Sequence, residues 1–379
     1  MDANPTTGVL LHAVGGLAAA SFYIPYKRVK DWSWETYWLA GGFFSWIIAP
    51  WVLMLLLAPN GLQGLSNARS SDLFWTYFFG VLWGIGGLTF GLTMRYLGIA
   101  LGYAVALGLC ALFGTLMPPI FSGEIDKVMG SSGGQVVLLG LLVCLIGIAM
   151  SGMAGLSKER ELPDEKKKET VTEFSLFKGL LVAVFAGVMS ASMSYGFAAG
   201  KPIAKLATAA GVTDLWQNLP VLVVILAGGF TTNFIWCVAL NIKNRSWSEY
   251  AGHQRAVNDE APKDPSLRQS IPLGVNYLFC ALAGITWYLQ FFFYGMGTTK
   301  MGPYDFSSWT LHMASIIAFS TLWGIALKEW KGTSVRTKSF IAIGLGLLVA
   351  SMVVVGAGNT RMADDAKKAA ETAKAEETN

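Results

Sequence analysis

The sequence predicts an all-α integral membrane protein in which ten transmembrane helices form two inverted five-helix repeats. Three observations carry that prediction. The 379 residues are 53% hydrophobic and only 14% charged, whereas a soluble chain is typically about 25% charged and needs that charge to cover its surface. The apolar residues fall into ten runs of roughly the 20 residues that a helix rising about 1.5 Å per residue needs to cross a hydrocarbon layer about 30 Å thick. Connections after the fifth and tenth runs divide the apolar region into five plus five, and an odd number of crossings turns the second half upside down relative to the first.

Helix one is expected over 7–26 and closes on Ser21-Phe22-Tyr23-Ile24-Pro25. Asp2 is the only charged side chain ahead of it, so the positive region that precedes a secretory signal core is missing and the run reads as a retained helix. Helix two follows over 36–58 and stops at Pro59-Asn60-Gly61, a turn sequence. Helices three (73–95) and four (99–121) meet at Arg95-Tyr96-Leu97-Gly98. Pro118-Pro119 removes two backbone donors and predicts a break in helix four. Helix five (135–155) begins after Ser131-Ser132-Gly133-Gly134 and ends at the charged stretch Lys158 to Glu173. In the second half, helix six spans 178–199 and closes on Ser194-Tyr195-Gly196-Phe197 with Lys201-Pro202, an echo of the end of helix one. Helices seven (217–242) and eight (272–297) flank the polar stretch Lys243 to Ser270, and Gly302-Pro303 separates helix eight from helices nine (306–328) and ten (336–357). The expected organisation is a first repeat over 1–157, a charged linker over 158–177, a second repeat over 178–358 and a polar tail over 359–379, read as a surface helix or disorder.

Basic residues set the orientation. The loops after the odd-numbered helices hold 19 of the 28 Lys and Arg residues and the opposite side holds 9; cytoplasmic loops retain the excess. Both termini are therefore expected to face outward. Gly80 with Gly84, Gly87 with Gly91, and Gly16 with Ala20 have the four-residue spacing that lets helices approach closely in lipid.

Several function classes lack their machinery. The formal charge of +4 is small and spread along the chain, which argues against a nucleic-acid partner. Cys110, Cys144, Cys237 and Cys280 stand alone in apolar runs, without metal-ligand spacing, so no metal or other cofactor is expected. The chain shows no P-loop, HExxH or GxSxG pattern, and it is not read as an enzyme. The expected partners are membrane lipids, a small hydroxylated solute and protons.

The candidate site follows from polar residues placed inside spans. Asp and Glu are missing from mid-span positions, leaving His12 and His312, at similar depth, as the groups able to change charge near neutral pH. Both are candidates for carrying a proton. His253 lies in a loop and reads as a solvated residue. Asp305, Ser308, Trp309 and His312 are spaced to share one helical face, on which Asp305 is expected to orient a protonated His312 while Trp309 lies against a sugar ring. A solvated N-cap Asp beside an interfacial Trp is the plainer reading of the same spacing. On helix eight, Trp287, Gln290, Phe291 and Tyr294 share a face, pairing flat rings for C–H surfaces with an amide for hydroxyls. Gln290 facing lipid would be unsatisfied, so it is expected inward. Trp83, Tyr195 and Asn218 complete the expected substrate-binding set.

Longer strings resemble a known family. Lys30-Asp31-Trp32-Ser33-Trp34-Glu35-Thr36, Trp83-Gly84-Ile85-Gly86, Gly91-Leu92-Thr93-Met94-Arg95-Tyr96-Leu97-Gly98, Trp287-Tyr288-Leu289-Gln290-Phe291-Phe292-Phe293-Tyr294, Ser308-Trp309-Thr310-Leu311-His312-Met313 and Leu327-Lys328-Glu329-Trp330 are similar, in order, to the L-rhamnose/proton symporters of the drug/metabolite transporter superfamily. The resemblance implies the drug/metabolite transporter fold, residence in the cell inner membrane with periplasmic termini, and proton-coupled uptake of L-rhamnose or a related deoxy sugar. The loops over 156–174 and 241–269 are longer than those of the family, and the tail after Arg361 is an addition. Two alternatives stand beside this reading. An exporter or exchanger of another metabolite would keep the fold, while a membrane enzyme acting on lipid-linked sugars would need a carboxylate pair or a metal set near one membrane face.

Overall fold

A computed structural model describes residues 4–97, 99–161, 175–253, 271–302 and 305–377. The loop segments expected over most of 158–173 and 243–270 fall largely outside the described residues. Within them the regular elements are helices, ten of them long and apolar enough to cross a membrane. These are α1 (Pro5–Tyr26) and α2 (Trp34–Leu57), followed by α3 (Ser70–Leu97), α4 (Ile99–Phe121), α5 (Ser132–Glu161), α6 (Leu176–Ala199), α7 (Leu219–Asn244), α8 (Leu273–Thr298), α9 (Ser308–Ala326) and α10 (Val335–Glu377).

Local chemistry explains the ends. Asn4 caps α1 by accepting the Thr7 N–H at 3.0 Å, with Pro5 supplying a first-turn residue that needs no donor. The start of α10 is capped by another helix: Glu161, at the end of α5, accepts from the Ser334 N–H at 2.7 Å and the Thr337 hydroxyl at 2.6 Å. The same two helices run antiparallel along their length. Gly133, Gly140 and Gly147 of α5 recur every seven residues, and a Cβ there would press on Met362, Val355 and Leu348 of α10, so the backbones pack at the closeness that small residues permit.

Gly16 of α1 meets Ser315 of α9, and Gly80 of α3 lies so close to the Ile225 carbonyl of α7 that a side chain would overlap it. Gly87 departs from the packing expected of it: nothing lies within 4 Å of its would-be Cβ, and it opens on a cavity. More broadly, α1 packs on α8 and α9, α6 on α3 and α4, α2 on α8, and α7 on α3.

One expectation is corrected here. Pro118 and Pro119 do not break α4, which continues to Phe121. Pro118 cannot donate to the Gly114 carbonyl one turn back, and Ser194 of α6 donates to that carbonyl instead at 2.8 Å, so a neighbouring helix replaces the missing bond. The polar tail, expected as a surface helix or disorder, is helical through Glu377. Helix α10 runs through the polar tail as one 43-residue helix, about 65 Å long and roughly twice the hydrocarbon thickness.

Candidate functional site

A cavity of about 510 Å³ lies among α1, α2, α3, α4, α6, α7, α8 and α9. It extends from mid-bundle toward Tyr23 and Trp34, beside the α1–α2 connection. Seven tryptophans line it: Trp34, Trp38, Trp46, Trp83, Trp236, Trp287 and Trp309. Gly84 and Gly87 of α3 line it, and at Gly87 a side chain would enter open space. The α8 face supplies Trp287, Gln290 and Phe291 as expected. Gln290 is 6% exposed and donates to the Trp287 carbonyl at 2.9 Å, leaving Oε1 as an acceptor that no described group occupies. Trp309 seats its indole against Gly114 and donates to the Cys110 carbonyl at 3.0 Å. Trp83 meets Trp287 at 5.5 Å and Phe291 at 5.7 Å between ring centroids.

His12 and His312 are both fully buried, and among the described residues none of their four ring nitrogens has a hydrogen-bond partner. Both rings flank Tyr294, at centroid distances of 5.2 Å and 5.3 Å. His12 rests on Gly297 of α8, where a Cβ would lie 2.7 Å from its ring. His312 also touches Phe291 at 5.8 Å and Trp309 at 6.0 Å, two rings of the large cavity. One aromatic layer separates His312 from that space.

A second cavity, of about 200 Å³, is lined by Tyr294, Asn218, Thr298, Lys201 and Asp305 among others. Asn218 donates to the Gly295 carbonyl at 2.8 Å and to the Thr298 hydroxyl at 3.0 Å. Asp305 pairs with Lys201 at 3.0 Å. That pairing corrects the expected orientation of His312 by Asp305. The residues Asp305–Ser307 form a 3-10 turn and α9 begins only at Ser308, so Asp305 lies ahead of the α-helix that carries His312, and it lines the smaller cavity.

The remaining candidates are dispersed. Tyr294 lines the smaller cavity, although its α8 neighbours Trp287, Gln290 and Phe291 line the larger. Ser308 is fully buried with an unpartnered hydroxyl and lines neither cavity. The Tyr195 hydroxyl donates to the Phe113 carbonyl at 3.2 Å, bracing α6 against α4 outside both cavities. His253 is exposed, as expected.

Sequence reasoning missed Trp38, Trp46 and Asn233. Trp38 donates to the Asn233 side chain at 3.1 Å, and both line the large cavity. A signal was present: Trp38, Gly42 and Trp46 recur every four residues, and a Cβ at Gly42 would overlap the Trp46 ring. The π-helical turn Phe44–Ile48 that carries Trp46 had no such signature. At the α1–α2 connection, Glu35 accepts from Asn244 at 2.8 Å and Ser246 at 2.9 Å, while Glu249 accepts from the Ser33 N–H at 2.8 Å and the Ser33 hydroxyl at 2.7 Å. Asn276 grips the Lys30 backbone through both its amide atoms, at 3.0 and 2.7 Å. These bonds tie the ends of α1, α2, α7 and α8 into one block.

Comparison with known proteins places this architecture among transporters. A family model described as L-rhamnose-proton symport protein (RhaT) matches residues 1–361. The chain is similar to the L-rhamnose-proton symporter of Citrobacter koseri, with 41% identity over 354 residues that cover 93% of this chain and 98% of the relative. It is similarly related to the L-rhamnose-proton symporters of Yersinia pestis and Yersinia pseudotuberculosis, each 40% identical over 93% of this chain and 97% of the relative.

Proposed function

The chain belongs to the L-rhamnose-proton symport family, and from that premise we propose that it couples inward proton movement to uptake of L-rhamnose across the cell inner membrane. The sugar occupies the 510 Å³ cavity, which falls within the roughly 300–1,000 Å³ of small-molecule sites. Trp287, Trp83 and Trp309 offer flat faces to the C–H side of the ring, and Gln290 offers an acceptor and donor to its hydroxyls. His12 and His312 carry the proton. The observation that supports this role is their placement: two buried imidazoles without described partners flank Tyr294 of the smaller cavity, and His312 also lies against Phe291 of the larger.

We assign the α1–α2 side to the cytoplasm, since it carries the excess of Lys and Arg, and the termini to the periplasm. In that orientation the structure corresponds to an inward-facing arrangement, with the Lys201–Asp305 pair on the outer side. The drug/metabolite transporter fold, with inverted repeats over 1–157 and 178–358, is supported by the packing partners. Exchanging each helix for the one five places away maps α1 on α8 and α9 onto α6 on α3 and α4, and α3 on α7 onto α8 on α2. Transport then follows as the repeats rock about the central site. A proton arrives from outside through the smaller cavity past Tyr294, sugar joins it, and the loaded protein opens inward. A potential of about 150 mV gives roughly 3.5 kcal/mol per charge, enough for accumulation of a few hundredfold. Tight coupling requires that protonation raise sugar affinity and that sugar raise proton affinity by the same factor.

Uptake of labelled L-rhamnose by vesicles containing this chain, with and without an imposed pH gradient, tests the reading. Saturable uptake accelerated by an acidic exterior is expected. Saturable uptake indifferent to the gradient would leave the sugar assignment standing and remove the proton, and absence of uptake would point to an exported or exchanged metabolite.

A further inference from the structure

Seven described residues contain buried polar side-chain atoms without a hydrogen-bond partner: His12, Trp46, Tyr288, Ser308, His312, Trp330 and Asn359. Only Trp46 also lines the large cavity. Its indole is 4% exposed, and its Nε1 lacks a partner among the described residues. Two neighbouring indoles are in a different condition. Trp38 donates to Asn233 and Trp309 to the Cys110 carbonyl, so their N–H groups are consumed by the protein. A buried donor is costly to leave unmade, and a phenyl ring would have given similar apolar packing without one.

The backbone holds Trp46 in place. It sits in the π-helical turn Phe44–Ile48, ahead of Pro50, and such wide turns recur at functional sites. Gly42 of its own helix leaves room for the ring, while Gly284 of α8 lets the wide turn approach, since a Cβ there would overlap the Gly41 carbonyl. Trp287 meets the indole edge-on at 5.5 Å. The spaces that adjoin the ring are the large cavity and a crevice of about 10 Å³ beside Ser45. The crevice is of the size of one water molecule and cannot admit a sugar.

We propose that Trp46 is a sugar-recognition residue whose indole N–H donates to one hydroxyl of the bound monosaccharide, with the π-helical turn as the device that presents it. The inference rests on the assignment of the sugar to the large cavity, which it deepens by naming a hydrogen-bond donor. Because the donor is single and fixed, it selects for an acceptor oxygen at one position of the ring rather than for sugars in general.

The test uses the full chain in proteoliposomes. Trp46→Phe keeps an aromatic ring and removes the N–H. The expected result is a fivefold to tenfold rise in the half-saturation concentration for L-rhamnose counterflow, the size of one neutral hydrogen bond, with little change in maximal rate. A series of monodeoxy L-rhamnose analogues locates the acceptor: one analogue should be equally poor for the wild type and Trp46→Phe. Unchanged half-saturation in Trp46→Phe overturns the proposal and leaves the N–H to the small crevice. An equal penalty for every analogue also overturns it, since that pattern marks lost packing. If Trp46→Phe does not fold, benzothienylalanine at position 46 keeps the bicyclic shape without the donor and is judged by the same outcomes. Failure of the wild type to exchange L-rhamnose would instead remove the cavity assignment, a result distinct from a wild type that works and a variant that matches it.

Discussion

The two cavities differ in chemistry as much as in size. The larger is walled by indoles and phenyl rings with few polar groups, chiefly Gln290, Asn233 and Ser190. The smaller is walled by two lysines, Asp305, Gln217, Asn218 and the hydroxyls of Ser194, Thr298 and Thr299. Flat rings around sparse, directional hydrogen-bond groups recognise a sugar by shape. A lining of charges keeps its own water and suits passage more than selection. On the proposed reading the larger space binds and the smaller conducts, with His312 at the boundary, in contact with rings that line each of them.

The largest expected effect is at that boundary. His312→Ala should reduce accumulation of L-rhamnose from as much as a few hundredfold to equilibrium while leaving sugar counterflow in place; accumulation at the wild-type level would strip His312 of its role. His12→Ala is expected to behave alike, and a difference between them would say which imidazole carries the charge. Next, Gly87→Leu puts a side chain into open space within the large cavity. Melting of the purified protein should hardly change, yet uptake should fall at least thirtyfold. The corresponding intrusion at Gly80, against the Ile225 carbonyl, should instead lower the melting temperature, because overpacking costs about 1–3 kcal/mol or more.

Gln290→Ala should raise the half-saturation concentration about tenfold, or about 1.4 kcal/mol, as measured by counterflow. An unchanged value would mean that the large cavity does not hold the sugar through α8. The smallest effect belongs to the smaller cavity. Lys201 and Asp305 are 55% and 33% exposed, and pairs of that kind contribute about 0–1 kcal/mol. Lys201→Met should therefore change half-saturation less than threefold. A tenfold change would break the distinction between binding and conducting cavities.

How much of this was legible depended on whether a feature was local. The spans could be read because crossing a bilayer constrains every residue of a run, and α8 delivered Gln290 to the cavity because a polar amide in a lipid-facing position would be left unsatisfied. The partner of Asp305 could not be read from spacing, since it pairs with Lys201, 104 residues away in the chain. The continuity of α4 through Pro118 depended on Ser194, which lies 80 residues from the carbonyl it serves. Trp46 was passed over because one indole among the chain's 14 is ordinary until its N–H is found without a partner.

By itself the sequence determined the membrane, the ten crossings and the short list of groups able to change charge within it. Those properties follow from transfer of side chains and backbone between water and hydrocarbon, a sum over local residues. Only the tertiary structure decided that two histidines share one tyrosine, that Tyr294 lines the smaller cavity while its α8 neighbours line the larger, and that Trp46 keeps an unpartnered donor beside the larger. Each depends on which distant carbonyl or ring stands opposite, and close packing of helices fixes that through glycines whose neighbours the chain order does not name.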